Sequence, residues 1–334
     1  MTTRIYLDHA ATTPMRPEAI AAVADGMARW ANPSSPHAEG RAARRALEDA
    51  RARIAKALGW EGEVILTSGA SEALAIALKG HAAVAASVEH DAVLRVVGSD
   101  RIHVGGDGLV HPAQVPPGRR VAVQSANSET GVLQPLGGVA AMADVLVADC
   151  SQSAGKLPLP PADLIVVSAH KLGGPPGIGA LLVRDFALLT PTGGQEQGYR
   201  GGTENVPGAL GFAAALEAPR EWFERAAVLR HTLDEVVRKH GGEVIADASP
   251  RIPTIAAYRL PGRSAAAQLM RLDSAGFAVS AGSACSSGTL KTSHVLTAMG
   301  IDAKAASEVI RVSFGWTTTA ADVERFAAAW KAMA

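Results

Sequence analysis

Four short apolar runs, each closed by small or polar turn residues, constrain this chain more than any other feature. They lie in EVILTSGASEALAIALKG, RRVAVQSANSETG, ADVLVADCSQSAGK and ADLIVVSAHKLGGPPGIGALLVR. The first and last segments read as strand, turn and helix, and as strand, turn and strand. Residues 37–58 carry helical spacing and many good helix formers, which predicts a long, partly exposed helix. Short strands alternating with helices imply an α/β fold with a mostly parallel sheet covered on both faces. From about residue 206 the rhythm changes. A long helical stretch is expected through about residue 240, followed by strand, helix, strand and helix in the order of a smaller α+β domain.

With 334 residues the chain can bury a large core and is expected to hold one large and one smaller domain. Aromatics are only 4% of the composition, so that core must be built from Ala, Val, Leu and Ile. Lys+Arg and Asp+Glu both number 32, which argues against a general attraction to nucleic acid or to anionic membrane. No apolar run reaches the ~18 residues of a membrane span, and the start lacks a signal-peptide pattern. Two cysteines make no disulfide framework and no CxxC pair suggests a metal. A cytoplasmic protein with reduced thiols is expected.

The chemistry concentrates at strand ends, where ligands of open α/β sheets sit. Lys171 follows an apolar strand and precedes two glycines. Desolvated there, its amine becomes a nucleophile; left exposed, it is an ordinary loop lysine. Asp149 ends another strand, with Gln152 three residues on. A pyridoxal cofactor needs a Schiff-base lysine and an acid that keeps its ring nitrogen protonated. Asp149 suits the second role and Gln152 could donate to the ring's phenolic oxygen, although an Asp in such a place is also a common turn or cap residue. Gly69, Ala70 and Ser71 fall where a strand turns into a helix, a place that binds phosphate through free amides and the helix dipole. Ser71 equally suits a helix cap.

The ordered set YLDHAATTP, TSGASE, SVEHDAV, ANSETG, ADCSQSAGK, SAHKLGGPPGIGAL, GGQEQGYRGGTENV, VSAGSACSSG and IRVSFG resembles the cysteine desulfurases, pyridoxal-phosphate enzymes of the class V aminotransferase type. The resemblance covers nearly the whole chain. It implies a PLP-transferase-like fold of type I, with a mostly parallel seven-stranded sheet sandwiched by helices and a small α+β C-terminal domain. The expected division is an N-terminal arm at 1–15, a large cofactor domain at 16–240 and a small domain at 241–334.

By this resemblance Lys171 carries the cofactor and His90 stacks on its ring and assists proton transfer. Asn127 lies near the phenolic oxygen and the substrate. Ser71, Ser168 and His170 hold the phosphate with the amide of Ala70, and Thr203 reaches a phosphate in the neighbouring subunit of a homodimer with shared active sites. Arg311 grips the substrate carboxylate. Each also has a plain structural reading: a capping histidine, a turn asparagine, a glycine turn, and an arginine that needs a salt-bridge partner in any apolar strand. Cys285 is the thiol that takes sulfur from L-cysteine, leaving L-alanine, and passes the persulfide to an acceptor protein. Its small-residue surroundings, SAGSACSSG, form no apolar face and relax the backbone for delivery; a small buried hydrophobe is the alternative. Cys150 reads as core. The acceptor could serve an iron–sulfur scaffold, tRNA thiolation or a cofactor pathway. A class V aminotransferase or a selenocysteine lyase is the enzymatic alternative, and a non-catalytic sulfur-relay protein the alternative of another class.

Overall fold

The computed structural model describes residues 4–282 and 292–334. In chain order the elements are β1 (Ile5–Tyr6), α1 (Pro17–Ala28), α2 (Ala38–Leu58), β2 (Glu63–Thr67), α3 (Ala70–Leu78), β3 (Ala83–Ala86), α4 (Asp91–Val97), β4 (Arg101–Ile102), β5 (Arg120–Gln124), α5 (Leu136–Ala140), β6 (Val145–Asp149), β7 (Leu164–Ser168) and β8 (Gly179–Val183). They continue with α6 (Val206–Glu217), α7 (Trp222–Lys239), β9 (Glu243–Val244), β10 (Ile255–Arg259), α8 (Ala265–Ser274), β11 (Phe277–Ala278), α9 (His294–Ala298), α10 (Ala303–Ala306), β12 (Val309–Ser313) and α11 (Ala320–Met333).

Local chemistry explains the long helix α2. His37 caps its start by accepting from the Gly40 amide, and Gly59 ends it with φ of 66°, a left-handed conformation that costs glycine little. Between them Ala43, Leu47, Ala50, Ile54 and Leu58 recur at helical spacing and bury one stripe.

The central sheet has seven strands in the order β2-β8-β7-β6-β5-β3-β4. The strands β7, β6, β5, β3 and β4 run parallel, while β8 runs antiparallel to both of its neighbours. Side chains alternate between the two faces, as strand geometry requires. Val121 and Val123 of β5 join one apolar cluster and Ala122 the other; Ile165 and Val167 of β7 likewise oppose Leu164 and Val166. The carboxyl ends of β2, β3, β5, β6 and β7 therefore meet at one edge.

A second sheet, β12-β10-β9, is antiparallel, and β1 pairs in parallel with β11. A separate core joins them, with Tyr258, Phe277, Phe326 and Trp330 in edge-to-face pairs. Bridges from Asp8 to Ser313 and from Ser280 to Arg311 bind these strands to the sheet's neighbourhood.

The stretch expected to be one helix from 206 to 240 is two. Ala218 leaves the helical region with ψ of 151°, and Pro219 follows it. Proline lacks an N–H and disfavours helix at the residue before it, so the run breaks although its apolar pattern continues. The apolar residues of α7, Ala226, Leu233 and Val237, belong to the second core. We therefore propose that the division between the two units falls ahead of α7 rather than at residue 240.

Candidate active site

Lys171 closes a short 3-10 turn directly after β7. Its amine is largely shielded from solvent and donates to two carbonyls of the N-terminal segment, Ala10 O at 2.6 Å and Ala11 O at 2.8 Å. Burial, with a smaller push from Arg311, lowers its pKa from 10.5 to about 8; Asp149 and Asp8 oppose the shift. An amine near pKa 8 is partly free at neutral pH, which a nucleophile requires.

Asp149 ends β6 beside β7, in register with Gln124 of β5 and Val166 of β7. It is buried, and its Oδ1 accepts from the Ser151 amide at 2.9 Å. Gln152 donates from Nε2 to Ala10 O at 3.0 Å, the same carbonyl that holds Lys171. Lys171 and Gln152 thus meet on one acceptor, with the Asp149 charge within electrostatic reach.

His90 caps α4, its Nδ1 accepting from the Ala92 amide at 3.1 Å. That bond leaves the ring proton on Nε2 in the neutral form. The turn bearing His90 is held from behind. Val88 O accepts from Gln124 Nε2 and from Asn127 Nδ2, Glu89 Oε1 accepts from the Gln124 amide, and Glu89 O receives His294 Nε2 at 2.8 Å. Glu89 is fully buried. Burial is the main cause that raises its pKa well above the usual carboxylate range, with a further push from Asp149. Asn127 is also a turn residue: its Oδ1 accepts from the Glu129 and Thr130 amides and the Thr130 hydroxyl. One amide hydrogen of its side chain remains for a ligand.

The phosphate candidates meet at the start of α3. Gly69 has φ of 147°, and the first helical bond runs from the Ala73 amide to Gly69 O. The amides of Ala70, Ser71 and Glu72 therefore lie outside the helix's own ladder. A Cβ on Gly69 would stand 3.9 Å from the Ser168 hydroxyl, so β7's end faces this turn. Ser71 is exposed. His170 bonds Thr12 Oγ1 through Nδ1 at 3.1 Å, and burial together with Lys171 lowers its pKa to about 4. Glu72, the one acid in the turn, is tied back by the Ser68 amide and Arg200. Thr203 lies on an exposed segment before α6.

Arg311 sits on β12. Its guanidinium donates to Asp8 Oδ1 at 2.8 Å and to Ser128 O at 2.9 Å, while Nε is buried without a partner. The salt bridge expected of an arginine in an apolar strand is present, and Asp8 is its acid. Asp8, Glu89 and His294 escaped the sequence reading. Asp8 had a usable signal, since YLDHAATTP holds an acid beside an apolar run and Arg311 required one. Cys285 lies outside the described residues. Cys150 is fully buried, and desolvation pushes its thiol up to about 12, which fits core and not nucleophile.

These residues fit a pyridine ring carrying a phosphate: an amine, a buried carboxylate one strand away, an imidazole on an adjacent turn and a cup of free amides. Comparison with known proteins agrees. The class-V aminotransferase family matches residues 5–100 and 114–326. A cysteine desulfurase of Cereibacter sphaeroides is 36% identical over 96% of this chain and 93% of its own. An IscS-like cysteine desulfurase of Mycobacterium tuberculosis is 37% identical over 96% and 93%. The solved structure of a NifS-like protein from Rickettsia africae superposes with a TM-score of 0.90 at 29% identity, covering 99% of both chains. Membership implies use of pyridoxal phosphate. The chain belongs to the class-V aminotransferase family, among its cysteine desulfurases.

Proposed function

We propose that this chain releases L-alanine from L-cysteine and keeps the sulfur as a persulfide on Cys285 for transfer to an acceptor protein. The observation that carries the reading is the buried Lys171 amine, with pKa lowered to about 8, at the strand end next to Asp149. When bound, pyridoxal phosphate supplies an electron sink that weakens bonds at the substrate's α and β carbons.

The protein's own groups do the rest. Lys171, released from the Ala10 and Ala11 carbonyls, would hold the cofactor and move a proton at the substrate's α carbon. Asp149 would face the ring nitrogen, and Glu89, whose burial favours its protonated form, would add no second charge. Gln152 and Asn127 would offer amide hydrogens to the cofactor's oxygen, while His90 would flank the cofactor and offer Nε2 for proton transfer. Ser71, Ser168, His170 and the Ala70 amide would hold the phosphate, with Thr203 serving the site of a second subunit in a homodimer. Arg311 takes the substrate carboxylate. The Cys285 thiolate bonds to the substrate sulfur as the carbon–sulfur bond breaks, and a proton completes the methyl group of alanine. The sum is cysteine plus thiol giving alanine plus persulfide. A cytoplasmic setting, where free thiols persist, belongs to the same reading; no helix among the described residues is long and apolar enough to cross a membrane.

The test is anaerobic incubation of the cofactor-loaded protein with L-cysteine. Alanine release and a gain of one sulfur atom on the Cys285 peptide are expected, and Cys285→Ala should lose both. Alanine release that persists unchanged in that variant would favour a selenocysteine lyase-like or transaminase reaction.

A further inference from the structure

Arg16 presents an electrostatic anomaly. It precedes α1 and is only 6% exposed. Its Nε is buried with no partner, and no hydrogen bond or ion pair reaches its guanidinium among the described residues. Glu18 and Glu221 act on it only through space, and burial lowers its pKa. Its recorded attraction is to the face of Trp316, 5.5 Å from the ring centroid. A π face offsets only part of the cost of burying a guanidinium.

The surroundings add more positive charge. Arg16 lines a cavity with Lys156, Arg220 and Trp222, closed by Gly155 and Leu172. No acid lines it. Lys156 is half-buried; its amine donates to Gln152 O at 2.9 Å, and burial with the nearby Lys171 charge lowers its pKa to about 7. Arg220 donates to Gly155 O at 3.4 Å, a long bond. The indole N–H of Trp222 is buried without an acceptor. Arg16, the exposed Arg220, a lysine whose amine is only partly charged at neutral pH and one orphan N–H therefore surround a space that contains donors and no acceptor beyond backbone carbonyls. The room is about that of one water molecule, too small for phosphate or sulfate.

We propose that this cavity is a binding site for a single small monovalent anion of halide size, such as chloride. The anion accepts from Arg16 Nε, from the Trp222 indole and from Lys156, and supplies the acceptor that the two buried N–H groups lack. The site borders Leu172, next in sequence to Lys171, and Lys156 ties it to the carbonyl of Gln152; none of its lining residues belongs to the phosphate cup at α3. It does not depend on the reaction proposed above.

The experiment uses the cofactor-loaded protein prepared in gluconate. Crystals soaked in bromide should show an anomalous peak in contact with Arg16 and Trp222. In solution, replacing gluconate by bromide at constant ionic strength should raise the melting temperature by about 2–4 °C at about 20 times the dissociation constant. Arg16→Met should abolish that rise, whereas sulfate should not reproduce it in the wild type. A water molecule or a side chain of a second subunit at the position, with no bromide peak, would overturn the proposal. So would an equal rise with sulfate. The diffraction result stands even if the variant fails to fold.

Discussion

Lys171 owes its chemistry to where its strand ends. The carbonyls of Ala10 and Ala11 hold the amine, and burial keeps its pKa near 8. Uptake of pyridoxal phosphate by the apoprotein, followed by the imine band near ~420 nm, should therefore quicken as pH rises through about 8. A midpoint near the ordinary lysine value would contradict the burial argument, and Lys171→Ala should show no band. Stability has a related sign. The unfolded chain binds this proton up to about pH 10.5 and the folded one only to about 8, so Lys171 adds stability to the apoprotein as pH rises between those values. Arg311 presents its guanidinium to Asp8 and Ser128, and a lysine cannot hold both. Arg311→Lys should raise KM for cysteine about tenfold or more and cost about 1–3 kcal/mol in unfolding, checked by steady-state kinetics and denaturant titration. Lysine, aspartate and arginine were legible because each stands beside an apolar run where a charge needs a reason. Glu89 was not: in SVEHDAV it sits in a polar string and reads as surface, yet the turn folds it inward.

At the scale of elements, the turn between β3 and α4 shows how precisely a site must be supported. His90 projects from a turn whose backbone is held by β5 through Gln124 and by α9 through His294. His294→Leu removes one of these holds and should lower kcat about tenfold with little change in KM, because binding groups elsewhere stay in place. His294→Gln, which keeps a donor, should recover part of that loss. Glu89→Gln tests the neighbouring acid. Glu89 folds with its proton on, so wild-type stability declines as pH rises above the ordinary carboxylate range. The variant should therefore gain in melting temperature relative to wild type between pH 5 and pH 8. The long helix α2 and the five-residue strands β2, β5, β6, β7 and β8 were readable from their pattern, whereas the helices α1 and α4 were not read. The two-residue strands β1, β4 and β11 were not, since two residues carry no period. The break at Pro219 was visible as a residue, but the apolar residues on both sides hid it.

Over the whole molecule, the fold class followed from the alternation of strands and helices, while the number of strands came from family resemblance. The antiparallel β8 within an otherwise parallel set follows from the short return GGPPGIG, which is too brief for a crossover helix. Thr203 lies on an exposed segment before α6, which suits service to a second subunit. Light scattering should give twice the chain mass of 34.3 kDa; a monomer at working concentration would remove Thr203 from the site. The first dozen residues carry the widest consequence. They supply the carbonyls that dock Lys171 and Gln152, the acid that pairs with Arg311, and the hydroxyl of Thr12 that bonds His170. Clipping this leader by protease, or burdening it with a fusion tag, would disarm groups up to three hundred positions downstream, so affinity handles belong at the other end of the chain.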